Sequence, residues 1–599
     1  MSMTLAKQTL ERWLFDFEQA ASKGDTVWTR TAFHSDAYWR DLVSFSWNII
    51  TCEGLDSISS MLQDCGPLTH PSGWYFEDPV TVAEDGQIEA WFNFDTQKGR
   101  GKGHLRLKDG RCRSLLTALT ELKGFEEPHG ERRDRGAEHG IHRGRQNWLQ
   151  RRQTEKAELG LTRQPYCLIV GGGQAGLALA ARLKRLKVPA LIIDKHERIG
   201  DAWRERYASL CLHDPVWMDH MPYLPFPDHW PVFTPKDKMG EWLDMYANVM
   251  ELDCWTQTEC ISAHFDEHAE CWRVSVVRNG ETIVLQPTQL VLATGMSGLP
   301  FVPSIPGADS FLGQHHHSSQ HTGGADHAGK NCVVIGSNNS AHDICADLWE
   351  HDAHVTMIQR SPTMVVRSES LIEVIVSRLF SESALKAGIT TEKADFIAAS
   401  NPFKMAAAIQ KGFYAQIKNR DAGFYQRLRD AGFKLTFGED ETGLSTMYMR
   451  RGSGYYIDVG ASELISNGQI KLCSGVEISR ILPRSVLLSD GTELPADLIV
   501  YATGYGPMND WAAKLISQEV ADKVGKCWGL GSGTTKDPGP WEGELRNMWK
   551  PTHQKNLWFH GGNLAQARFY SLSLGLQIKA RYENLATPVH CLAKVHHLK

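Results

Sequence analysis

The stretch YCLIVGGGQAGLALAARLKRL, which begins at Tyr166, restricts the fold more than any other part of this chain. An apolar run ends in a glycine turn and passes at once into an amphipathic pattern, which predicts strand, turn and helix. Gly171, Gly173 and Gly176 have the G-x-G-x-x-G spacing. The first glycine permits the tight turn, the second lets backbone amides approach a pyrophosphate, and the third lets the helix sit close to the strand. Gln174 and Ala175 would then open a helix whose free amides and positive dipole end favour anions. The next apolar run, PALIID, ends on Asp194, where a carboxylate can accept hydrogen bonds from a ribose. The three features together predict a dinucleotide-binding βαβ unit.

The theme returns in NCVVIGSNNSAHDICADL, with a weaker turn. Gly336 is kept, Asn338 stands where the middle glycine is usual, and Ala341 replaces the third. Asparagine tolerates left-handed dihedrals better than most residues, and alanine is nearly as small as glycine, so a turn through Asn338, Asn339, Ser340 and Ala341 is feasible. The strand that follows, HVTMIQ, ends on Arg360 and Ser361 instead of an acid. A carboxylate there would repel a 2′-phosphate, whereas a guanidinium can bind one bidentately and a hydroxyl can add a donor. Arg360 therefore predicts NADPH over NADH.

Apolar runs alternating with helices predict α/β architecture: two Rossmann-like dinucleotide-binding domains, the second inserted into the first. We expect residues 164–325 and 486–599 to form the first domain and 326–485 the second. Residues 126–163 are dense in charge and glycine and read as a linker, with a helix at NWLQRRQTEKAEL. Residues 1–125 combine amphipathic helices with strand-like alternation, an α+β unit of its own. At 599 residues the chain is too long for one core, and a net charge of −6 gives no basic excess to attract nucleic acid. The N-terminus lacks a signal-peptide run and no stretch matches a membrane span, so a cytosolic protein is expected. Its 13 cysteines show no CxxC or C-x4-C pair, which excludes a flavin disulfide reductase and suggests neither a zinc cluster nor a disulfide framework.

Several motifs, in order, resemble the flavin-containing monooxygenases. Gly200 and Trp203 match that family's G-x-x-W turn after the first acidic strand end. Phe311, Gly313 and His317 match its F-x-G-x-x-x-H motif, although His321 stands where an aromatic residue is usual. Ala293-Thr294-Gly295 and Ala502-Thr503-Gly504 match the A-T-G strand ends where the chain crosses between domains. The run LHDPVWMDHMPYLPFPDHWPVFTPKDK looks closer to the plant indole-pyruvate oxygenases and their microbial relatives. The N-terminal unit, with its YWRDL stretch, resembles the cone-shaped domains related to nuclear transport factor 2, which enclose a small ligand or dimerise.

What the resemblance implies is an FAD- and NADPH-dependent monooxygenase that reduces FAD, reacts it with O2 and passes one oxygen from a C4a-hydroperoxyflavin to a small substrate. It adds Lys195, Gly200, Ala202, Trp203, Leu212, Asn563 and Gln566 to the FAD site and Thr503 to the NADPH side. His213, in LHDP, stands where many members have an asparagine that supports the intermediate, and is the candidate catalytic residue. No metal is expected, because the consecutive His315, His316 and His317 cannot easily point one way. Alternatives are a Baeyer–Villiger oxygenase, a nucleotide-binding redox sensor and a peroxide-producing oxidase. A homodimer through the N-terminal domain is a further expectation.

Overall fold

The computed structural model describes residues 2–77, 79–137 and 139–595. Two parallel five-stranded sheets form its centre. The first runs Cys254–Trp255, Ala190–Ile193, Cys167–Val170, Gln289–Leu292, Leu557–Phe559, and every neighbouring pair is parallel. The second runs Gln314–His317, Leu498–Tyr501, Asn331–Ile335, His354–Gln359, Lys471–Ser474, again all parallel. The last strand of the first sheet comes from the far end of the chain, so the second sheet is inserted within the first. Such strands are covered on both faces, which is why they read as unbroken apolar runs. Leu168, Ile169, Leu191 and Ile192 are all buried to within 1% exposure.

A run of helices from Ser368 to Arg451 interrupts the second unit, between the paired strands Met364–Arg367 and Tyr455–Asp458. The sequence reading did not single out this insertion, because a parallel strand pair on either side of helices looks the same in one dimension as any βαβ unit. Its helices Thr391–Ala399 and Gly443–Arg451 turn back toward the first domain.

The N-terminal unit is a seven-stranded mixed sheet with helices Met3–Lys23, Thr26–Ala32 and Gly54–Thr69. Strand Phe33–Leu42 pairs antiparallel with Ile49–Glu53 but parallel with Arg111–Leu122. Its interior is filled: Trp13 stacks on Phe17, Phe17 meets the edge of Trp39, and Trp74 stacks on Phe94, with ring centroids 5.3–5.4 Å apart. Gly101 and Gly103 admit this packing, since a Cβ at either would overlap the ring of Phe94 or Phe92. The 126–163 segment is mostly exposed but is anchored by its helix Trp148–Glu158, whose Arg152 pairs with Asp253 at 2.7 Å.

Candidate functional site

The first glycine turn has the geometry that its three glycines require. Gly171 sits at φ 113°, and a Cβ there would overlap the Ala293 carbonyl. A Cβ on Gly176 would overlap the Gly171 carbonyl, so the helix Gln174–Arg185 can lie against the strand only with glycine at this place. Gly173 caps the helix, and a Cβ there would meet nothing within 4 Å, which leaves open space beside the helix N-terminus. That open cradle, framed by free amides, fits a pyrophosphate.

Trp203 reaches this turn. Trp203, in the short helix Asp201–Arg204 with Ala202, donates to Gln174 Oε1 at 3.3 Å, and Gln174 donates to the Gly562 carbonyl. Gly200 at φ 92° presses on Gly240, where no side chain would fit. Leu212 donates its amide to Thr234, and Lys195 follows Asp194 at the sheet edge. Asp194 accepts from the Gly172 amide at 2.6 Å and from the His196 amide at 2.9 Å, with His196 Nδ1 2.6 Å away. Burial pushes this carboxyl up, but these hydrogen bonds outweigh it and hold it below its ordinary value; the same contact raises His196.

Asn563 and Gln566, expected to reach the flavin, stand at the start of a helix. They form a reciprocal capping box on the C-terminal helix Leu564–Tyr582: Gln566 N donates to Asn563 Oδ1 at 2.9 Å, and Asn563 N donates to Gln566 Oε1 at 3.3 Å. The N-x-x-Q spacing carried that signal. Gln566 Oε1 also accepts from Tyr448 at 2.7 Å.

The second turn repeats the first with asparagine and alanine in place of two glycines. Gly336 sits at φ 133° against the Ala502 carbonyl, and Ala341 is fully buried in the helix Asn339–Glu350. Asn338 caps this helix at φ −99°, an extended conformation, so the left-handed tolerance invoked for asparagine is not needed. Asn339 Oδ1 accepts from the Ile457 amide at 2.9 Å. Thr503 donates to the Phe301 carbonyl, tying the second A-T-G end to the loop after the first. Arg360 is exposed, with no side-chain hydrogen bond or ion pair among the described residues, and Ser361 is half-buried beside it. Two cations that sequence reasoning missed come close: burial and the charges of Arg451 and Arg360 push Lys536 below its ordinary value, with Glu439 opposing. Arg451 and Lys536 stand about 90 and 180 positions further along the chain in separate segments, so no local pattern could associate them with Arg360.

Between the two turns lies His213. Its Nε2 is 3.7 Å from Asp343 on the second nucleotide helix, and Tyr207 donates to the same carboxylate at 2.8 Å. Burial alone would lower His213, but Asp343 and Asp214 raise it, which favours the imidazolium. His213 Nδ1 is buried without a hydrogen-bond partner among the described residues. Burial raises the carboxyl of Asp214, a residue that sequence reasoning passed over although it follows His213 directly. Burial, with the charge of Asp214 nearby, also raises Tyr448 of the helical insertion and Tyr455 of the strand after it, so this acid and two phenols share one region. Trp528 packs edge-on against Tyr448 at 5.3 Å.

The histidine run separates in three directions. His315 Nδ1 lies 3.2 Å from the Tyr501 hydroxyl, and His317 Nε2 lies 2.9 Å from the Gly504 carbonyl. His316 Nε2 lies 3.2 Å from His321 Nδ1, and His321 in turn stacks toward His327. The unusual His321 thus occupies a flat aromatic's place in a stack, and burial lowers it to about 4.

Comparison with known proteins agrees with this architecture. A family model described as pyridine nucleotide-disulphide oxidoreductase matches residues 168–402, yet all 13 cysteines are free thiols. Indole-3-pyruvate monooxygenase YUCCA1 of Oryza sativa subsp. japonica is 31% identical over 368 residues, 60% of this chain and 82% of the relative. Probable indole-3-pyruvate monooxygenase YUCCA10 of Arabidopsis thaliana is 30% identical over 342 residues, 56% of this chain and 81% of the relative. A solved complex of OTEMO with FAD and NADP, 17% identical, shares the fold with a TM-score of 0.50, covering 70% of this chain and 84% of that one. With its two inserted nucleotide folds, paired glycine turns and these relatives, the chain belongs to the flavin-containing monooxygenase family.

Proposed function

We propose that the protein is an FAD- and NADPH-dependent monooxygenase that places one oxygen atom of O2 on a small organic substrate, by N- or S-oxygenation or by oxidative decarboxylation of a 2-oxo acid. The observation that carries this reading is the pair of turns with opposite strand ends, Asp194 at one and the unpaired Arg360 at the other. The solved OTEMO complex holds FAD and NADP, which supports the same pairing. The residues present fit both groups: the open cradle at Gly173 suits a pyrophosphate, and Arg360, Ser361, Lys536 and Arg451 suit a 2′-phosphate.

Bound flavin would supply the two-electron and oxygen chemistry. The chain's own residues then have limited tasks. Gly171, Gly173 and Gly176 admit the first dinucleotide, and Trp203, Gln174 and the Asn563–Gln566 cap wall its site. His213 holds a proton between Asp343 and the site, with Nδ1 free to bond what is bound there. Tyr448, Tyr455 and Trp528 supply apolar walls that exclude water. The names of the plant relatives make aryl-substituted 2-oxo acids the first substrates to try.

The test is to purify the holoprotein, supply NADPH and O2, and balance NADPH consumed against oxygenated product and hydrogen peroxide over panels of 2-oxo acids, amines and thioethers. Product matching NADPH for one class is expected. Protein that retains no flavin, or that turns all NADPH into peroxide with every panel, would overturn the reading.

A further inference from the structure

Arg40 on strand Phe33–Leu42 and Arg106 on strand Gly99–Lys108 flank strand Arg111–Leu122 of the N-terminal sheet, are 2% and 8% exposed, and neither faces the aromatic core. Both reach out of the domain to one place. Arg40 NH1 donates to the Ala399 carbonyl at 2.9 Å, while its Nε and NH2 grip Glu544 at 2.6 and 2.9 Å and its NH2 also reaches the Tyr570 hydroxyl. Arg106 NH1 donates to the Ser400 carbonyl at 2.8 Å, and NH2 donates to the Ser400 hydroxyl at 3.0 Å. Ala399 ends the helix Thr391–Ala399 and Ser400 caps it. Two guanidiniums therefore satisfy two of the orphan carbonyls at the negative end of a nine-residue helix. A helix this short has little stability of its own, so its end depends on such partners.

The other half of the same helix holds a loop. Asp395, 8% exposed, binds Arg568 through both oxygens at 2.8 and 2.7 Å. Arg568 NH1 donates onward to the carbonyls of Met218 and His220 at 2.6 and 2.8 Å. Thr391 donates to the Trp217 carbonyl at 3.1 Å. Phe396 packs between Trp91 of the N-terminal sheet and Phe569 of the C-terminal helix. Three carbonyls of the segment 217–220 thus hang on side chains that this helix carries or positions, directly after His213 and Asp214.

We propose that the N-terminal domain is a positioning element of the active site: Arg40 and Arg106 hold the end of helix Thr391–Ala399, and the helix, through Asp395–Arg568 and Thr391, holds the 213–220 loop in register. The part of this that concerns catalysis rests on the reading of His213 and Asp214 as site residues. The contact chain itself does not.

The experiment uses the full-length holoprotein and the variants Arg106→Met and Arg106→Lys, followed by hydrogen exchange with mass spectrometry. Arg106→Met is expected to raise exchange about tenfold in both 391–400 and 213–220 while 171–185 changes less than about twofold, and Arg106→Lys is expected to restore part of the protection. Exchange that rises at 391–400 and stays unchanged at 213–220 overturns the proposal, as does a uniform rise across the chain. In turnover, flavin reduction by NADPH should be unchanged while the share of electrons lost to peroxide increases severalfold. If exchange responds as stated but no oxygenated product forms in wild type, the coupling stands and the monooxygenase reading falls. Should Arg106→Met not fold, Ser400→Ala removes the hydroxyl that accepts from Arg106 and donates to the Ile397 carbonyl; a smaller rise at the same two segments supports the proposal, and a rise confined to 391–400, or none at either, overturns it.

Discussion

Replacing Arg360 by alanine should separate the two nicotinamide cofactors. At neutral pH a phosphate monoester carries about 1.5 to 2 negative charges. A unit charge pair at contact is worth about 4 kcal/mol at the effective dielectric of a protein surface. Arg360 is exposed, so water and salt reduce this strongly, to about 1.5–3 kcal/mol for one bidentate contact. Lys536 and Arg451 stay behind in the variant and retain part of the attraction, and relief of their mutual repulsion with Arg360 offsets some of the loss. The net expectation is a KM for NADPH raised about 10- to 100-fold, with that for NADH moved less than about twofold. Stopped-flow reduction of the flavin under anaerobic conditions, at several concentrations of each nucleotide, measures both. Raising ionic strength should shrink the difference between wild type and variant. Equal losses for NADPH and NADH, or none for NADPH, would refute the assignment of Arg360 to a 2′-phosphate.

Gly176→Ala places a methyl group on the Gly171 carbonyl and should abolish flavin retention, with about 1–3 kcal/mol or more of destabilisation, read from bound absorbance and the melting curve. His213 is raised by Asp343 and Asp214 against its burial, so their pairing stabilises the fold fully below the ordinary histidine value and loses that contribution as pH rises through the raised one. The Tm difference between wild type and Asp343→Asn should accordingly be greatest below the ordinary histidine value and shrink as pH rises above it; a difference that grows with pH would count against the pair. His321 has the opposite sign: burial lowers it to about 4, so its contribution is present above the ordinary value and lost as pH falls toward 4. His321→Phe should therefore narrow the drop in Tm between pH 7 and pH 5, and an unchanged drop would place the acid sensitivity elsewhere.

Much of the nucleotide architecture was legible from residues within about twenty-five positions of each glycine turn, because a strand, a tight turn and a helix are set by local sterics and by hydrophobic period. Asn338 shows the limit of such reasoning, since its backbone is extended and the turn runs through Gly336 alone. Asn563 and Gln566 show another: their spacing announced a helix cap, and the cap is what their side chains form. Tyr448 carried no local signal at all. It meets Gln566 only because a helical insertion in one domain folds back onto the other.

What the sequence by itself determined are the two glycine turns, their parallel sheets and the contrast between Asp194 and Arg360, all of which follow from the steric and electrostatic needs of neighbouring residues. Only the tertiary structure decided that Lys536 and Arg451 gather near Arg360, that His213 faces Asp343, and that two arginines of the N-terminal sheet end a helix some three hundred residues later. The reason is physical: a buried charge or an orphan helix carbonyl requires a partner, but nothing in its own stretch of chain says which distant segment will supply it.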